Sequence, residues 1–253
     1  MKKIVLFLWL IVPPLHAQTV RVAVAANAQF AMEELKAVFE KQTGITVETV
    51  INSSGKITTQ IQQGAPFDVF LSADMHYPEV LFKEGFTTEA PKIYGYGSLV
   101  VWGLGNVKVT KDLSFLTQPS VRKIAVANPK LAPYGTAAQE ALTYYHLSDK
   151  TRSKWVLGES ISQVNQYILS QAVEVGFTSK SVVLDPSLKG KGNWAEVDSK
   201  TYTPIAQGVV LLKKKNTAPS RQAQSFYDFL FSKRAQAIFR AFGYRLTGST
   251  KQK

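Results

Sequence analysis

Short apolar segments alternate with amphipathic segments along this chain, and that alternation limits the possible folds more than any other feature of the sequence. Residues 20–25, 45–50 and 67–71 are rich in the β-branched and aromatic residues typical of strands. Residues 28–42 carry apolar side chains on one helical face, and a second such helix follows the second strand. The strand-helix-strand-helix-strand order predicts a parallel sheet covered by helices on both faces.

A second group of alternating segments predicts a second unit of the same kind. Strands are predicted at 99–103, 123–127 and 173–177, and helices at 135–147 and 162–170. The predicted fold class is therefore α/β, with two lobes that each hold a mainly parallel sheet flanked by helices. The C-terminal part of the chain is expected to return to the first lobe. The predicted lobes are residues 18–96 with 204–253 for lobe one, and residues 97–203 for lobe two.

The N-terminus has the pattern of a secretory signal. Lys2 and Lys3 form a basic start, residues 4–12 are an apolar run, and Ala17 is a small residue suited to cleavage. The apolar run is too short to span a bilayer, which needs about 20 residues. We therefore predict that residues 1–17 are a cleaved signal peptide and that the mature protein acts in the periplasm. Export also argues against a nucleic-acid partner.

Composition excludes several classes of function. The 253 residues include no Cys, which rules out disulfides, thiolate zinc sites, iron–sulfur clusters, a Cys nucleophile and a lipid-modified N-terminal Cys. Lys and Arg number 30 against 18 Asp and Glu. Such a basic balance suits an anionic partner, because it steers anions toward the surface.

Several predicted helices begin with small polar residues where the preceding strand ends. Asn27 and Ser54 occupy such positions in lobe one, and Tyr134 precedes a helix in lobe two. Ser160 and Gln163 have the spacing of a capping box. One interpretation is that Asn27 and Ser54 only cap their helices. The other is that these helix starts face one cleft and offer neutral donors to an anion, because open α/β sheets bind ligands at the carboxyl ends of their strands.

Enzyme and metal-site interpretations have weaker support in the sequence. Ser53-x-x-Lys56 has the spacing of penicillin-recognising acyl enzymes, but the companion S-D-N and K-T-G motifs are absent. Asp74, His76 and Glu79 straddle a predicted helix start and need not converge on a cation. We therefore expect a binding protein without catalytic residues, without direct cation ligands and without a cofactor.

Motifs along the mature chain resemble those of the periplasmic molybdate-binding proteins of ABC transporters. The most specific of them is the segment from Gly64-Ala65-Pro66 through Asp68-Val69-Phe70 to Ser72-Ala73-Asp74. The other matching segments are Val22-Ala23-Val24-Ala25-Ala26-Asn27, Ser53-Ser54-Gly55-Lys56, Ile124-Ala125-Val126-Ala127-Asn128-Pro129, Pro133-Tyr134-Gly135, Gly158-Glu159-Ser160-Ile161-Ser162-Gln163, Val175-Gly176-Phe177 and Phe242-Gly243-Tyr244.

The resemblance implies a type II periplasmic binding protein fold that holds molybdate or tungstate in the cleft between its lobes. It implies that Asn27 supplies side-chain and backbone donors, that Ser54 supplies its hydroxyl and N–H, that Ala73 and Ile161 supply backbone N–H groups, and that Tyr134 supplies its hydroxyl. It also implies delivery of the anion to an ABC permease with a cytoplasmic ATPase. The protein is expected to act as a monomer.

Two positions depart from the pattern of many family members. Asn27 stands where many have Ser, and Ser179 aligns where many supply a Tyr donor, which leaves Tyr134 as the candidate for that hydroxyl. Molybdate and tungstate are too similar in size for the sequence to separate them. A sulfate- or phosphate-type receptor and an exported acyl hydrolase remain the alternative functions.

Overall fold

The computed structural model describes residues 19–105, 107–213 and 217–246, and it contains two five-stranded sheets. The predicted signal peptide, residues 1–17, lies outside this range. The strands are β1 (Thr19–Ala25), β2 (Thr46–Asn52), β3 (Val69–Leu71), β4 (Lys92–Gly97), β5 (Leu99–Gly103), β6 (Ile124–Ala127), β7 (Trp155–Gly158), β8 (Val175–Ser179), β9 (Asn193–Glu196) and β10 (Ile205–Leu211).

Helices cover the sheets and connect their strands. They are α1 (Gln29–Thr43), α2 (Ser54–Gln62), α3 (His76–Lys83), α4 (Pro133–Tyr144), α5 (Ser148–Thr151), α6 (Ile161–Leu169), α7 (Lys180–Val183), α8 (Arg221–Phe229) and α9 (Lys233–Ala241). A 3₁₀ turn, Ala26–Ala28, joins β1 to α1. Within the described ranges, no helix has both the length and the apolar character required to cross a membrane.

Both sheets have the same mixed topology. The first sheet has the order β2-β1-β3-β10-β4, and the second has the order β7-β6-β8-β5-β9. In the first, β10 runs antiparallel to both of its neighbours, while β1 is parallel to β2 and β3. In the second, β5 is the strand that runs antiparallel to its neighbours. The predicted fold class, two mainly parallel sheets flanked by helices, is confirmed, with one reversed strand in each sheet.

The chain crosses from the first sheet to the second over a very short connection. β4 ends at Gly97 in the first sheet, and β5 begins at Leu99 in the second, so a single residue, Ser98, joins them. The chain returns to the first sheet at β10, which begins at Ile205. The assignment of residues 18–96 with 204–253 and of 97–203 to separate lobes stays a prediction.

Each sheet packs its helices over a separate apolar core. On the first sheet, Phe39 of α1 contacts Phe226 and Phe229 of α8, with ring centroids 5.1 and 5.3 Å apart. On the second sheet, Trp102 and Phe177 are almost fully buried members of the core. Burial of these rings removes a large apolar area from water, which is the main force that stabilises each unit.

Three strands are absent from the sequence-based prediction. β4 has the sequence KIYGYG, in which two glycines replace the β-branched residues of a typical strand. β9 lies at the edge of the second sheet, and its NWAE sequence is half exposed. β7 lies at the opposite edge of the same sheet. All three are edge strands, and β7 and β9 have only four residues each, so their periodic signal is weak, whereas the buried β1 and β5 are predicted from their sequence.

We expect Phe39→Ala to lower the free energy of unfolding by about 3–5 kcal/mol, because it leaves a cavity among three packed rings. Phe82→Ala is the matched control, since the Phe82 side chain is 42% exposed, and its effect should stay below about 1 kcal/mol. Urea unfolding followed by circular dichroism measures both values. Equal losses in the two variants would contradict this description of the core.

Candidate functional site

A small cavity lies between the two sheets, at the carboxyl ends of their strands. Its empty volume is ≈ 190 Å³, so it has room only for a small solute. Each of the five predicted site residues lies on its wall, together with five neighbours. The lining residues are Ala25, Ala26, Asn27, Ser53, Ser54 and Ala73 from the first-sheet side, and Ala132, Pro133, Tyr134 and Ile161 from the second-sheet side.

The cavity is surrounded by the beginnings of helices from both sides. The turn Ala26–Ala28 and α2 begin there on the first-sheet side, and α4 and α6 begin there on the other. The first N–H groups of a helix have no partner within it, and the dipole makes that end electropositive. This arrangement favours a small anion.

The side chains of Asn27 and Ser54 do not cap their helices. No side-chain hydrogen bond caps the helical turn at Asn27 or the start of α2. The capping interpretation is therefore wrong for these two residues. It is right for Ser160, whose hydroxyl accepts a hydrogen bond from the Gln163 N–H at 3.3 Å.

Ser54 presents a hydroxyl whose oxygen is already in use. The Ala73 backbone N–H donates to Ser54 Oγ at 3.0 Å, and both residues are buried. A hydroxyl carries one hydrogen, so a hydroxyl that accepts from behind keeps its own hydrogen for another partner. The resemblance implied that Ala73 donates to the anion directly. In this structure its N–H instead serves Ser54.

Tyr134 is arranged in the same way from the opposite side of the cavity. Its hydroxyl oxygen accepts a hydrogen bond from Gln207 Nε2 at 3.0 Å, and its side chain is buried. Burial raises the pKa of Tyr134 well above its usual value of 10. The hydroxyl therefore remains protonated at neutral pH and is available as a donor.

Asn27 has a different arrangement from the one that the resemblance implied. Its Nδ2 donates to Gln207 Oε1 at 2.8 Å and to Tyr244 Oη at 3.3 Å, so its amide hydrogens are directed away from a ligand. Its carbonyl oxygen accepts from the hydroxyls of Ser179 and Ser181. The Oδ1 atom is buried without a hydrogen-bond partner among the described residues.

The cavity wall is uncharged. No Lys, Arg, Asp or Glu lines it within the described ranges. The nearby Lys56 forms an ion pair with Glu159, which joins the first-sheet side to the second-sheet side at the protein surface. An anion in the cavity would therefore be held by neutral N–H and O–H groups, which avoids the desolvation cost of a buried cation.

Further contacts join the two sides around the cavity. The Gly55 N–H donates to the Leu131 carbonyl at 3.0 Å, and the Ser162 hydroxyl donates to Gln29 Oε1 at 2.9 Å. A Cβ on Gly55 would lie 3.2 Å from that carbonyl and 2.7 Å from Tyr77 Oη. Glycine at this position leaves room for Tyr77 and for the Leu131 carbonyl. Most residues that line the cavity are buried, so the cavity is shielded from solvent.

Two other candidate residues lie outside the cavity wall. Ser179 is buried and supports the Asn27 carbonyl from behind. Asp74 lines a separate groove, and its Oδ1 accepts from the Ser72 hydroxyl and the Tyr77 N–H. Burial raises the pKa of Asp74, although these hydrogen bonds oppose the effect.

Ser53 is a cavity residue that the resemblance does not identify. Its hydroxyl is buried, lines the cavity and has no hydrogen-bond partner among the described residues. In particular Lys56 does not contact it, so the Ser-x-x-Lys pair lacks the base that an acyl enzyme requires. Ser53 and Ser54 are adjacent serines at the start of α2, and the resemblance implies a ligand role only for Ser54.

The fold and the enclosed cavity define a class of proteins that bind a small solute between two sheets. Residues 20–245 match the family of bacterial extracellular solute-binding proteins, and the chain belongs to that family.

Relatives of known name agree with this classification. The chain is 39% identical over 233 residues to the molybdate-binding protein ModA of Azotobacter vinelandii, which covers 91% of each chain. It is 37% identical over 232 residues to ModA of Rhodobacter capsulatus, which covers 91% of this chain and 90% of the relative. The solved structure of the Azotobacter vinelandii periplasmic molybdate-binding protein matches with a TM-score of 0.84 and 33% identity, over 90% of this chain and 99% of that one. The resemblance inferred from the motifs is confirmed.

We expect Ser53→Ala to leave the free energy of unfolding of the ligand-free protein unchanged or to raise it, because alanine removes a buried hydroxyl without a partner. Ser54→Ala is the matched control. It removes the acceptor of the Ala73 N–H, and we expect it to lower the free energy of unfolding by about 1 kcal/mol. Urea unfolding measures both. A larger loss in Ser53→Ala than in Ser54→Ala would contradict the hydrogen bonds described here.

Proposed function

We propose that this protein captures molybdate or tungstate in the cavity between its two sheets and delivers the anion to an ABC importer. The single observation that carries this proposal is the pattern of hydrogen bonds at two cavity hydroxyls. Ser54 and Tyr134 both accept a hydrogen bond from an N–H group behind them, so both can direct a hydrogen toward the cavity. Relatives named as molybdate-binding proteins support the choice of anion.

The neutral donors of the wall suit an oxyanion that carries no proton, whereas one buried acceptor on the wall suits an anion that does. Molybdate, tungstate and sulfate are fully deprotonated dianions at neutral pH, so they need donors alone. Phosphate carries a proton there and needs an acceptor as well; a polar mismatch in a buried site costs affinity. The unpartnered Oδ1 of Asn27 is the acceptor that such an anion would need. Phosphate is therefore the most informative alternative anion in a binding test.

We further propose the cellular context from the family. Removal of residues 1–17 would release the protein into the periplasm. Residues 18–96 with 204–253 and residues 97–203 would act as two lobes that close on the anion by a hinge. The closed protein would dock as a monomer on a permease with a cytoplasmic ATPase. The protein binds and releases its ligand without chemical turnover or cofactor.

Isothermal titration calorimetry of the purified mature protein with molybdate, tungstate, sulfate and phosphate tests the proposal. We expect saturable one-to-one binding of molybdate and tungstate, and much weaker or no binding of sulfate and phosphate. Sulfate is also a dianion, so its weaker binding would reflect the size of the cavity. Tight phosphate binding without molybdate binding would overturn the proposal.

We expect Ser54→Ala to weaken molybdate binding by about 1–3 kcal/mol, the range for a hydrogen bond to a charged group. Ser170→Ala is the control, because Ser170 ends α6 away from the cavity. The same calorimetric titration measures both variants. Unchanged affinity in Ser54→Ala would remove its hydroxyl from the set of ligand donors.

A further inference from the structure

Gln207 is a fully buried polar residue in the otherwise apolar strand β10. The cavity wall does not include it, and no sequence motif identified it. A buried primary amide is costly unless its donor and acceptor atoms find partners. The partners of Gln207 therefore indicate why an amide occupies this position.

Both ends of the Gln207 amide are in use. Its Oε1 accepts from Tyr94 Oη at 2.6 Å and from Asn27 Nδ2 at 2.8 Å. Its Nε2 donates to Tyr134 Oη at 3.0 Å. In this structure Asn27 Nδ2 faces Gln207 Oε1, and the Gln207 amide has the orientation that matches this donor. The donor end is thereby held against Tyr134.

This orientation decides the direction of the Tyr134 hydroxyl hydrogen. Because Gln207 presents an N–H, the hydroxyl oxygen accepts, and its own hydrogen is left for the cavity. An acceptor at the same place would attract that hydrogen and turn it away from a ligand. Burial raises the pKa of Tyr134, so the hydrogen is present throughout the neutral pH range.

Gly97 supplies the space in which the two side chains meet. A Cβ on Gly97 would overlap with both Tyr134 Oη and Gln207 Nε2. Gly97 ends β4 of the first sheet, directly before the crossing to the second. The contact between Gln207 and Tyr134 thus joins the two sides of the cavity at a position where any larger residue would separate them.

We propose that Gln207 is a positioning residue for anion binding: it holds the Tyr134 hydroxyl by its oxygen and so directs the hydroxyl hydrogen at the bound oxyanion. The inference rests on the proposed function, because it needs an anion in the cavity. Gln207 itself does not touch the ligand. It acts through Tyr134 and, by accepting from Asn27 Nδ2, also fixes the Asn27 amide.

A double-mutant cycle on molybdate affinity tests this role. We expect Gln207→Met to weaken molybdate binding about tenfold when Tyr134 is present, and less than about threefold in the Tyr134→Phe background. A purely structural role would cause equal losses in both backgrounds.

Two further variants keep the test decisive. Gln207→Glu keeps an acceptor for Tyr94 and Asn27 and presents an acceptor in place of the donor that faces Tyr134. Repulsion between the new carboxyl and the anion acts in both backgrounds, so the same cycle applies if Gln207→Met does not fold. Thr151→Val is the matched control: it removes a buried hydroxyl that Trp155 Nε1 contacts at 3.3 Å, remote from the cavity, and affinity should not change.

The outcomes separate the two proposals. Equal losses in both backgrounds, with molybdate binding by the unsubstituted protein, overturn the role of Gln207 alone. If the unsubstituted protein binds neither molybdate nor tungstate, the proposed function fails and the role of Gln207 fails with it. A loss confined to the background with Tyr134 supports both.

Discussion

A small anion that leaves water needs hydrogen-bond donors from the protein, and the direction of two hydroxyl hydrogens decides whether this cavity supplies them. Hydroxyls are ambiguous groups, because each can donate or accept. Here a backbone N–H occupies the oxygen of Ser54, and a side-chain N–H occupies that of Tyr134. Both hydroxyls therefore keep their own hydrogens for a partner in the cavity.

The rest of the fold brings those groups together. Ser54 is the first residue of α2 on the first-sheet side, and Tyr134 lies in the first turn of α4 on the second-sheet side. Both sides must therefore come together to complete the cavity. Glycines at positions 55 and 97 allow the close approach. Neutral donors are well suited to such a site, since oriented dipoles need little reorganisation and no buried cation must be desolvated.

The sequence predicted the fold where strands are buried on both faces and failed where they lie at edges or contain glycine. β1 and β5 carry continuous apolar runs, whereas β4 and β9 do not. The direction of a strand could not be predicted from the sequence either, because an apolar run does not reveal that β10 is antiparallel to its neighbours.

For the candidate site, the resemblance named Asn27, Ser54, Ala73, Tyr134 and Ile161, and the structure places them around one cavity. Their roles as ligands stay a prediction. Ser53 was missed because the resemblance assigns a ligand role only to the second of two adjacent serines, and Gln207 was missed because motifs record residues at the ligand rather than those behind it. A lone glutamine in an apolar strand is a sequence signal for a supporting residue of this kind, since a buried amide needs hydrogen-bond partners.

The one-residue connection at Ser98 has a consequence for how the anion enters and leaves. β4 and β5 belong to different sheets, yet their ends are adjacent in the chain. If the two lobes open by a hinge, as proposed above, so short a tether keeps the ends of β4 and β5 together throughout the movement. The ion pair between Lys56 and Glu159, which joins the two sides at the surface, would then have to break before the anion leaves.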